Sequence, residues 1–454
     1  MRRLVYDRLL KWKSDPQRKP LLVKGVRQCG KTHIIKEFGR LNYDDVFYLN
    51  FEKDPGLSIH FEKDLDPVRI IRDLGIYLGR SIGSGDTLII FDEIQSCKKA
   101  ITSLKYFNEE TPEYHLVCAG SLLGVKPSEK YSFPVGNVNF IDMGPMNFYE
   151  FLLANGEEML CEYLSISRPD EIGEVFMQKL EEYYKYFQIV GGMPEAVSEW
   201  INNHDVIAVE RIQKEILRTY VDDFSKHAGG EVNELAMMWR SIPQQLSKDN
   251  NRFIFSHVKE GKRARDLKHS LEWLISAGIL HKVSKISAPA IPLSSYSDET
   301  IFKLYFVDIG LLRTLSDTPT RFVFDGGEEY KHFKGAVAEN YVLNELTSLG
   351  KTAFFWKSNN DAEVDFICTF GSAIVPIEVK SDKNLRSPSL TRYVSQYAPG
   401  RSVKISANPN FTDDGNKVRI PLWMAWRIDS IIGDDSIEFN RKLTEKAAKS
   451  KKMN

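Results

Sequence analysis

The chain contains few cysteines, and their spacing excludes two kinds of structural site. Only five occur among 454 residues, and none stands in a C-x-x-C pair. Structural zinc sites and disulfide frameworks need closely spaced or regularly paired cysteines. The sequence therefore predicts neither, and it favours a protein of a reducing compartment. The five are Cys29, Cys97, Cys118, Cys161 and Cys368.

Long apolar runs and an excess of charge of one sign are also missing. No apolar segment approaches the roughly 20 residues that a membrane-spanning helix needs. Residues 1–8 read M-R-R-L-V-Y-D-R and contain no apolar core of signal-peptide length. We therefore expect a cytoplasmic protein with no membrane partner. The net charge of −1 gives no general field that would attract nucleic acid, so any basic surface must be local.

The length and the pattern of apolar residues indicate several α/β domains. A hydrophobic content of 42% with 27% charged residues is typical of a globular protein, and 454 residues suggest about three domains. Residues 1–155 alternate short apolar segments with helical ones, as in a parallel sheet covered by helices on both faces. The predicted strands are 21–23, 46–51, 87–91, 115–119 and 138–143.

A phosphate-binding loop follows the first of these strands. Residues 25–32 read G-V-R-Q-C-G-K-T, and a helical stretch begins directly after them. In this pattern glycines let consecutive backbone N–H groups turn toward one anion, and the helix N-terminus favours negative charge. Lys31 would contact the outer phosphates and the Thr32 hydroxyl would bind Mg²⁺. The residues predicted to surround ATP are Gly25, Val26, Arg27, Gln28, Cys29, Gly30, Lys31 and Thr32.

Two carboxylates at the end of the third predicted strand indicate hydrolysis as well as binding. Asp92 and Glu93 follow five residues of buried-strand character, at the sheet edge where open α/β folds bind ligands. We assign Asp92 to Mg²⁺ and Glu93 to general-base activation of water. Ser121, after the next strand, would either position that water, sense the γ-phosphate or cap a helix. Arg27 would either touch phosphate or remain an exposed loop arginine.

The middle of the chain is predicted to be helical and then to form a small basic unit. Amphipathic helices at 177–190 and 206–224 indicate a helical lid over residues 156–239. A helix at 267–277 followed by strands at 279–286 and 301–307 resembles a winged helix over 240–325. Between residues 251 and 285 stand eight basic and three acidic residues, which form either a solvated helix face or a contact for DNA or RNA.

A second candidate site lies near the C-terminus. Glu378 and Lys380 are two residues apart on a predicted strand, so both side chains leave the same face. Asp365 stands on the preceding strand of a predicted hairpin, and Glu339 projects from an upstream helix. Two acids and a lysine on one face suit metal-assisted phosphodiester cleavage, with Asp365 and Glu378 binding Mg²⁺ and Lys380 assisting the attacking water.

Several motifs resemble a prokaryotic AAA-type P-loop ATPase family. Its members join the ATPase core to a helical region, a winged helix and a C-terminal domain of unassigned function, and the C-terminal pattern resembles the restriction-endonuclease-like fold. The resemblance implies Asp365, Glu378 and Lys380 as core residues of that fold and Glu339 as its helix acid. The motifs are the loop at 25–32, F-D-E-I-Q at 91–95, A-G-S at 119–121, and the stretches at 144–152 and 191–197.

The resemblance gives a domain plan with an α/β fold class throughout. We expect an ATPase core at 1–155, a helical lid at 156–239 and a winged-helix-like domain at 240–325. A restriction-endonuclease-like domain at 326–430 and a basic tail at 431–454 would complete the chain. Relatives often carry a basic residue where Asn137 stands, so a second copy of the chain or another protein would have to supply an arginine finger.

Three functions follow from these sites. The favoured one is an Mg²⁺-dependent ATPase whose hydrolysis is coupled to a nuclease-like domain that acts on or binds nucleic acid. The second is a slow ATP-dependent regulatory switch with a catalytically inactive, protein-binding C-terminal domain. A nucleotide kinase is a weaker third, because the sequence shows no acceptor site.

Overall fold

The described residues of the computed structural model form two β-sheets with helices around them. These residues are 1–120, 134–227, 232–246, 252–258, 263–358, 362–383 and 386–433. One sheet has five parallel strands and the other has eight strands of mixed direction, which confirms the predicted α/β class. Ser121 and the tail after residue 433 lie outside the described residues. Within the described part of the chain, no helix is long and apolar enough to span a bilayer.

All five strands predicted near the N-terminus are present. They pair in the order β2-β3-β4-β1-β5, with the strand before the phosphate loop lying between β4 and β5. Every residue of β3 is buried, as expected for a parallel strand covered on both faces. The strands are β1 (Leu21–Lys24), β2 (Asp45–Asn50), β3 (Thr87–Asp92), β4 (His115–Ala119) and β5 (Asn139–Asp142). The first helices are α1 (Val5–Ser14), α2 (Lys31–Asn42), α3 (Pro67–Leu78) and α4 (Lys98–Glu110).

Helices fill the chain between the two sheets. The one predicted at 177–190 begins three residues earlier and ends at Val190, directly before Gly191, which has φ +70°. A Cβ at Gly191 would lie 2.3 Å from an Asp308 carboxylate oxygen, so this position needs glycine. The helices are α5 (Phe148–Ala154), α6 (Glu158–Ile166), α7 (Glu174–Val190), α8 (Pro194–Asn203), α9 (Val206–His227), α10 (Val232–Leu246) and α11 (Ala264–Ser276).

The second sheet has the strand order β12-β13-β11-β10-β9-β8-β6-β7. Its strands are β6 (Leu280–Ile286), β7 (Ser297–Phe306), β8 (Phe354–Lys357), β9 (Glu363–Phe370), β10 (Ala373–Lys380), β11 (Ser402–Ser406), β12 (Thr412–Asp413) and β13 (Lys417–Pro421). The remaining helices are α12 (Ile309–Leu315), α13 (Arg321–Asp325), α14 (Lys331–Ser348), α15 (Pro388–Tyr397) and α16 (Ile428–Ile432).

The hairpin predicted as part of a winged helix is an edge of this second sheet. Strand β6 pairs with β7 on one side and in parallel with β8 on the other, through Lys285 with Phe355 and Ile286 with Trp356. The sheet therefore crosses the boundary predicted between residues 325 and 326. Pairing between segments about 70 residues apart leaves no local pattern that sequence reasoning could detect.

The two faces of the N-terminal sheet contact different cores because side chains alternate along each strand. Leu22, Ile89 and Leu116 belong to a separate apolar cluster that includes side chains of α3 and α4. Val23 and Ile90 belong to a larger cluster that continues through the helical region into the second sheet. One face of the N-terminal sheet is thus packed continuously with the rest of the protein.

A buried glutamate joins the N-terminal part to α14. The Glu345 carboxylate accepts a hydrogen bond from the Phe148 backbone N–H at the start of α5, at 2.9 Å. Its other oxygen is buried without a hydrogen-bond partner among the described residues. Burial raises the pKa of Glu345 to about 8, so the carboxyl is protonated at neutral pH in the folded protein.

This raised pKa predicts a pH dependence of stability. Unfolding returns the Glu345 pKa to its ordinary value near 4.5, so the unfolded chain binds fewer protons and stability falls as pH rises from about 4.5 to about 8. Glu345→Gln keeps the acceptor for Phe148 and removes the titration. We expect its unfolding temperature, relative to wild type, to increase between pH 5 and pH 8. Exposed Glu158→Gln is the control, and equal pH profiles for all three proteins would contradict the prediction.

Candidate functional site

The phosphate loop has the conformation that its glycines predict. A Cβ at Gly25 would lie 1.9 Å from the Met143 carbonyl oxygen, which only glycine permits. Gly30 has φ +92° and directly precedes α2. Lys31 is buried, and its Nζ donates to the carbonyl oxygens of Gly25 and Val26, both at 2.9 Å. The ammonium group is therefore held inside the curve of the loop.

The Thr32 hydroxyl lies against the Asp92 carboxylate. Thr32 Oγ1 is 3.1 and 3.2 Å from the two carboxylate oxygens, and Asp92 is buried at the end of β3. A hydroxyl beside a carboxylate, next to a phosphate loop, provides the hard oxygen ligands that Mg²⁺ prefers. These two residues would hold the ion together with nucleotide phosphates and water. Bound there, Mg²⁺ would neutralise charge on the phosphates.

Two residues of β2 that sequence reasoning missed also contact Asp92. The Tyr48 hydroxyl donates to Asp92 Oδ2 at 2.6 Å, and Asn50 Nδ2 is 3.3 Å from the same oxygen. Burial and the hydrogen bond to Asp92 raise the pKa of Tyr48 to about 12. Their period-2 spacing was visible in the sequence, but the position of β2 beside β3 was not. These donors fix the carboxylate before any ligand arrives.

Glu93 has a backbone conformation that is uncommon for its residue type. Its φ is +50° and its ψ is +43°, in the left-handed region at the end of β3. The side chain is partly exposed and accepts a hydrogen bond from Gln95 Nε2. Such outliers persist where the surrounding structure holds them, often at functional sites.

The remaining loop residues contact protein atoms. Arg27 Nη1 lies 2.5 Å from Asp223 Oδ1 on α9, and the Tyr220 hydroxyl donates to the Arg27 carbonyl oxygen at 3.0 Å. Buried Cys29 has its Sγ 3.3 Å from the Met143 carbonyl oxygen. A Cβ at Gly278 would lie 3.4 Å from the Val26 backbone nitrogen. The loop is thus in contact with the helical region and with the turn before β6.

The four residues predicted for the C-terminal site lie in one charged cluster. Lys380 Nζ is 2.8 Å from Glu378 Oε1, and Glu378 is buried. Asp365 accepts a hydrogen bond from the Val379 backbone N–H at 2.8 Å, which ties β9 to β10. Burial, followed by the nearby charges of Glu339 and Glu378, raises the pKa of Asp365 well above its ordinary value.

A buried lysine on β7, missed in the sequence, completes this cluster. Lys303 is 1% exposed, and its Nζ lies 2.6 Å from Glu363 Oε1 and 3.7 Å from Glu339 Oε2. The Tyr305 hydroxyl also donates to Glu339 Oε2, at 3.0 Å. Burial alone would lower the pKa of Lys303, but the carboxylates of Glu339, Glu363 and Asp365 raise it above its ordinary value. The sequence around Lys303 does not indicate that this lysine reaches the acids, because its strand is the edge of a hairpin.

The cluster contains acids without forming a recognisable metal centre. Across the described ranges, no three His, Cys, Asp or Glu side chains are grouped so that they could hold a metal ion. Lys303 pairs with Glu339 and Glu363, and Lys380 pairs with Glu378, so lysines already compensate these three carboxylates. Binding of Mg²⁺ by Asp365, Glu378 and Glu339 stays a prediction.

Comparisons with known proteins divide the chain into three matched parts. The family model described as "AAA domain" matches residues 17–152. Two models described as domains of unknown function, DUF8612 and DUF4143, match residues 181–321 and 334–424. No curated protein shows significant sequence similarity to the chain.

Solved structures show only distant likeness. A Walker-type ATPase of Pyrococcus abyssi is 16% identical over 69% of this chain and 95% of its own, with a TM-score of 0.41. The Aeropyrum pernix ORC1 protein, solved in complex with DNA, is 13% identical over 70% and 91%, with a TM-score of 0.25. C. elegans PCH-2 is 10% identical over 44% and 62%, with a TM-score of 0.27. At these TM-scores, the likeness to the three proteins does not assign their functions to this chain.

The family match and the loop geometry agree on the N-terminal part. Residues 17–152 contain the whole parallel sheet, the phosphate loop and the strand end at Asp92. Lys31, Thr32 and Asp92 all lie within this matched segment. The N-terminal part of this chain is thus similar to AAA domains over residues 17–152 and carries a loop of the phosphate-binding pattern.

Proposed function

We propose that the protein hydrolyses ATP with Mg²⁺ and that hydrolysis drives a C-terminal domain that binds or cleaves nucleic acid. The observation that carries the ATPase proposal is the contact of Thr32 with Asp92 beside the buried ammonium of Lys31. The lysine that would bind phosphate is therefore next to the two oxygen ligands that would hold Mg²⁺.

Each residue of the ATP site has a separate task. Lys31 would move from the loop carbonyls to the outer phosphates and stabilise their charge. Thr32 and Asp92 would hold Mg²⁺, and Tyr48 would keep the Asp92 carboxylate oriented. Glu93, the residue after Asp92, would take a proton from the attacking water.

Coupling to the rest of the chain would pass through the loop contacts. The Arg27–Asp223 ion pair links the loop to α9, and Gly278 packs against Val26 before β6. Binding of phosphate to the loop would alter both contacts, because the same backbone must face the nucleotide. The second sheet, which begins at β6, would then respond to the nucleotide state.

A groove beside α15 supports nucleic acid as the ligand of the C-terminal domain. It has a volume of about 740 Å³ and is lined by Arg386, Arg392, Ser387 and Thr391, with no acid among the described lining residues. Ser389, which follows the lining residue Pro388 in the chain, accepts a hydrogen bond from the Glu363 backbone N–H. The helix that lines the groove is thus bonded to the backbone of β9, and the arginines and hydroxyls of the groove suit a phosphate backbone.

The regulatory switch remains a second candidate because of Lys303. Its ammonium group pairs with two of the acidic side chains, Glu363 and Glu339, which supports a cluster that stabilises the fold without cutting nucleic acid. In that case ATP would control a protein contact, and hydrolysis would be slow for lack of an arginine finger.

ATP turnover with and without polynucleotide separates the two candidates. We expect single-stranded DNA, duplex DNA or RNA to stimulate hydrolysis in Mg²⁺. Nicking, if present, should disappear in Asp365→Ala and Lys380→Ala and persist in the exposed control Asp170→Ala. A folded protein that hydrolyses ATP but shows neither stimulation nor cleavage would exclude the coupled enzyme and leave the switch.

A further inference from the structure

Gln95 contacts the proposed general base directly. It lies on a short 3₁₀ turn, Ile94–Ser96, that follows Glu93, and its Nε2 donates a hydrogen bond to Glu93 Oε2. The Ser96 N–H donates to the Glu93 carbonyl oxygen at 3.0 Å, which closes the turn. The turn therefore brings the amide of Gln95 back onto the carboxylate two residues earlier.

The orientation of the Gln95 amide follows from the chemistry of its partner. An ionised carboxylate only accepts hydrogen bonds, so the amide must present its NH₂ group to Glu93. The carbonyl oxygen then points away from Glu93. That oxygen is buried and has no hydrogen-bond partner among the described residues.

Gly120, at the end of β4, provides the space that this arrangement requires. A Cβ at Gly120 would lie 2.2 Å from Gln95 Oε1 and 3.5 Å from a methyl carbon of Ile94. The nearer atom is the end of a flexible side chain, so a larger residue would displace the amide without disrupting the strand. Glycine at position 120 thus allows Gln95 to reach Glu93.

We infer that Gln95 is a positioning residue that fixes the Glu93 carboxylate for its reaction with water, and that Gly120 makes room for it. The inference rests on the proposed hydrolysis of ATP. The left-handed backbone at Glu93 sets where its side chain starts, and the Gln95 amide limits where the carboxylate can rotate. A base that is already held in place reacts faster, because less freedom of orientation is lost on reaching the transition state.

The first test is steady-state turnover of full-length Gln95→Ala. We expect kcat to fall about 10- to 100-fold, the effect of losing one hydrogen bond to a charged group. ATP affinity should remain as in wild type, because Gln95 does not belong to the phosphate loop. The control is Gln178→Ala, which removes a similar glutamine–glutamate contact on the surface of α7 and should leave kcat unchanged. Unchanged or increased kcat in Gln95→Ala would overturn the inference.

Two further variants separate positioning from general damage. Gly120→Ala should lower kcat as Gln95→Ala does, and combining the two should add nothing. In a Glu93→Gln background, Gln95→Ala should also have no further effect, since the base that it holds is gone. Additive losses in either pair would contradict a shared role. If Gln95→Ala does not fold, Gly120→Ala tests the same contact alone.

Failure of this inference can be told from failure of the proposed function. If wild type does not hydrolyse ATP, the proposed function itself is wrong, and if Glu93→Gln turns over at the wild-type rate, the assignment of Glu93 as the base is wrong. If both behave as proposed while Gln95→Ala keeps its kcat, only the positioning role is wrong.

Discussion

Glu93→Gln is expected to lower the rate of ATP hydrolysis by about 10²- to 10⁴-fold, the range typical of losing a general base. The substituted amide has the same shape and can still accept the hydrogen bond from Gln95. It cannot take a proton from water. Binding of ATP should persist, because Lys31, Thr32 and Asp92 are unchanged.

Two measurements check this result. Equilibrium binding of a labelled nucleotide should give wild-type affinity for Glu93→Gln and much weaker binding for Lys31→Ala. Single-turnover hydrolysis should show the loss in Glu93→Gln but not in the exposed control Glu52→Gln. Equal hydrolysis by wild type and Glu93→Gln would remove Glu93 from its assigned role.

Lys303→Met is expected to destabilise the protein by about 3–5 kcal/mol, the usual cost of breaking a buried ion pair from one side. The lysine is 1% exposed and pairs with Glu363 and Glu339. Methionine fills a similar volume but removes the positive charge that balances both carboxylates. Lys357 still lies 3.5 Å from Glu363 and balances part of its charge. The loss should be visible as a lower denaturant midpoint.

A matched variant and a double variant define the origin of this loss. Lys268→Met removes an exposed lysine paired with Glu272 at 3.8 Å, which should cost less than about 1 kcal/mol. Adding Glu363→Gln to Lys303→Met should recover part of the stability, because it removes one of the uncompensated charges. A Lys303→Met protein no less stable than Lys268→Met would show that the cluster does not depend on this ammonium group.

The predictions that succeeded rest on contiguous residues. The spacing of residues 25–32 encodes its own geometry, because Gly25 and Gly30 permit backbone shapes that other residues do not. The five short strands of the first sheet could be predicted because buried parallel strands appear as apolar runs. Asp92 could be placed near Thr32 because Asp92 ends β3 and the loop before Thr32 follows β1, and these parallel strands end at one edge of the sheet.

What could not be predicted depends on residues that are distant in the chain. The alternation of Tyr48 and Asn50 was visible, but the strand order decided that they contact Asp92. Arg27 meets Asp223, 196 residues away, and nothing local to either residue marks the partner. Lys303 resembles an ordinary strand lysine until β6 pairs with β8.

The sequence by itself determined that this protein has a loop of the phosphate-binding pattern and an acidic strand end, because those features depend on backbone conformation within a few residues. Only the tertiary structure decided that the predicted hairpin extends the C-terminal sheet and brings Lys303 among the acids. It also decided that Gln95 and Gly120 meet beside Glu93. The physical reason is that strand pairing and side-chain burial are set by the packing of the whole chain, which no local pattern of residues records.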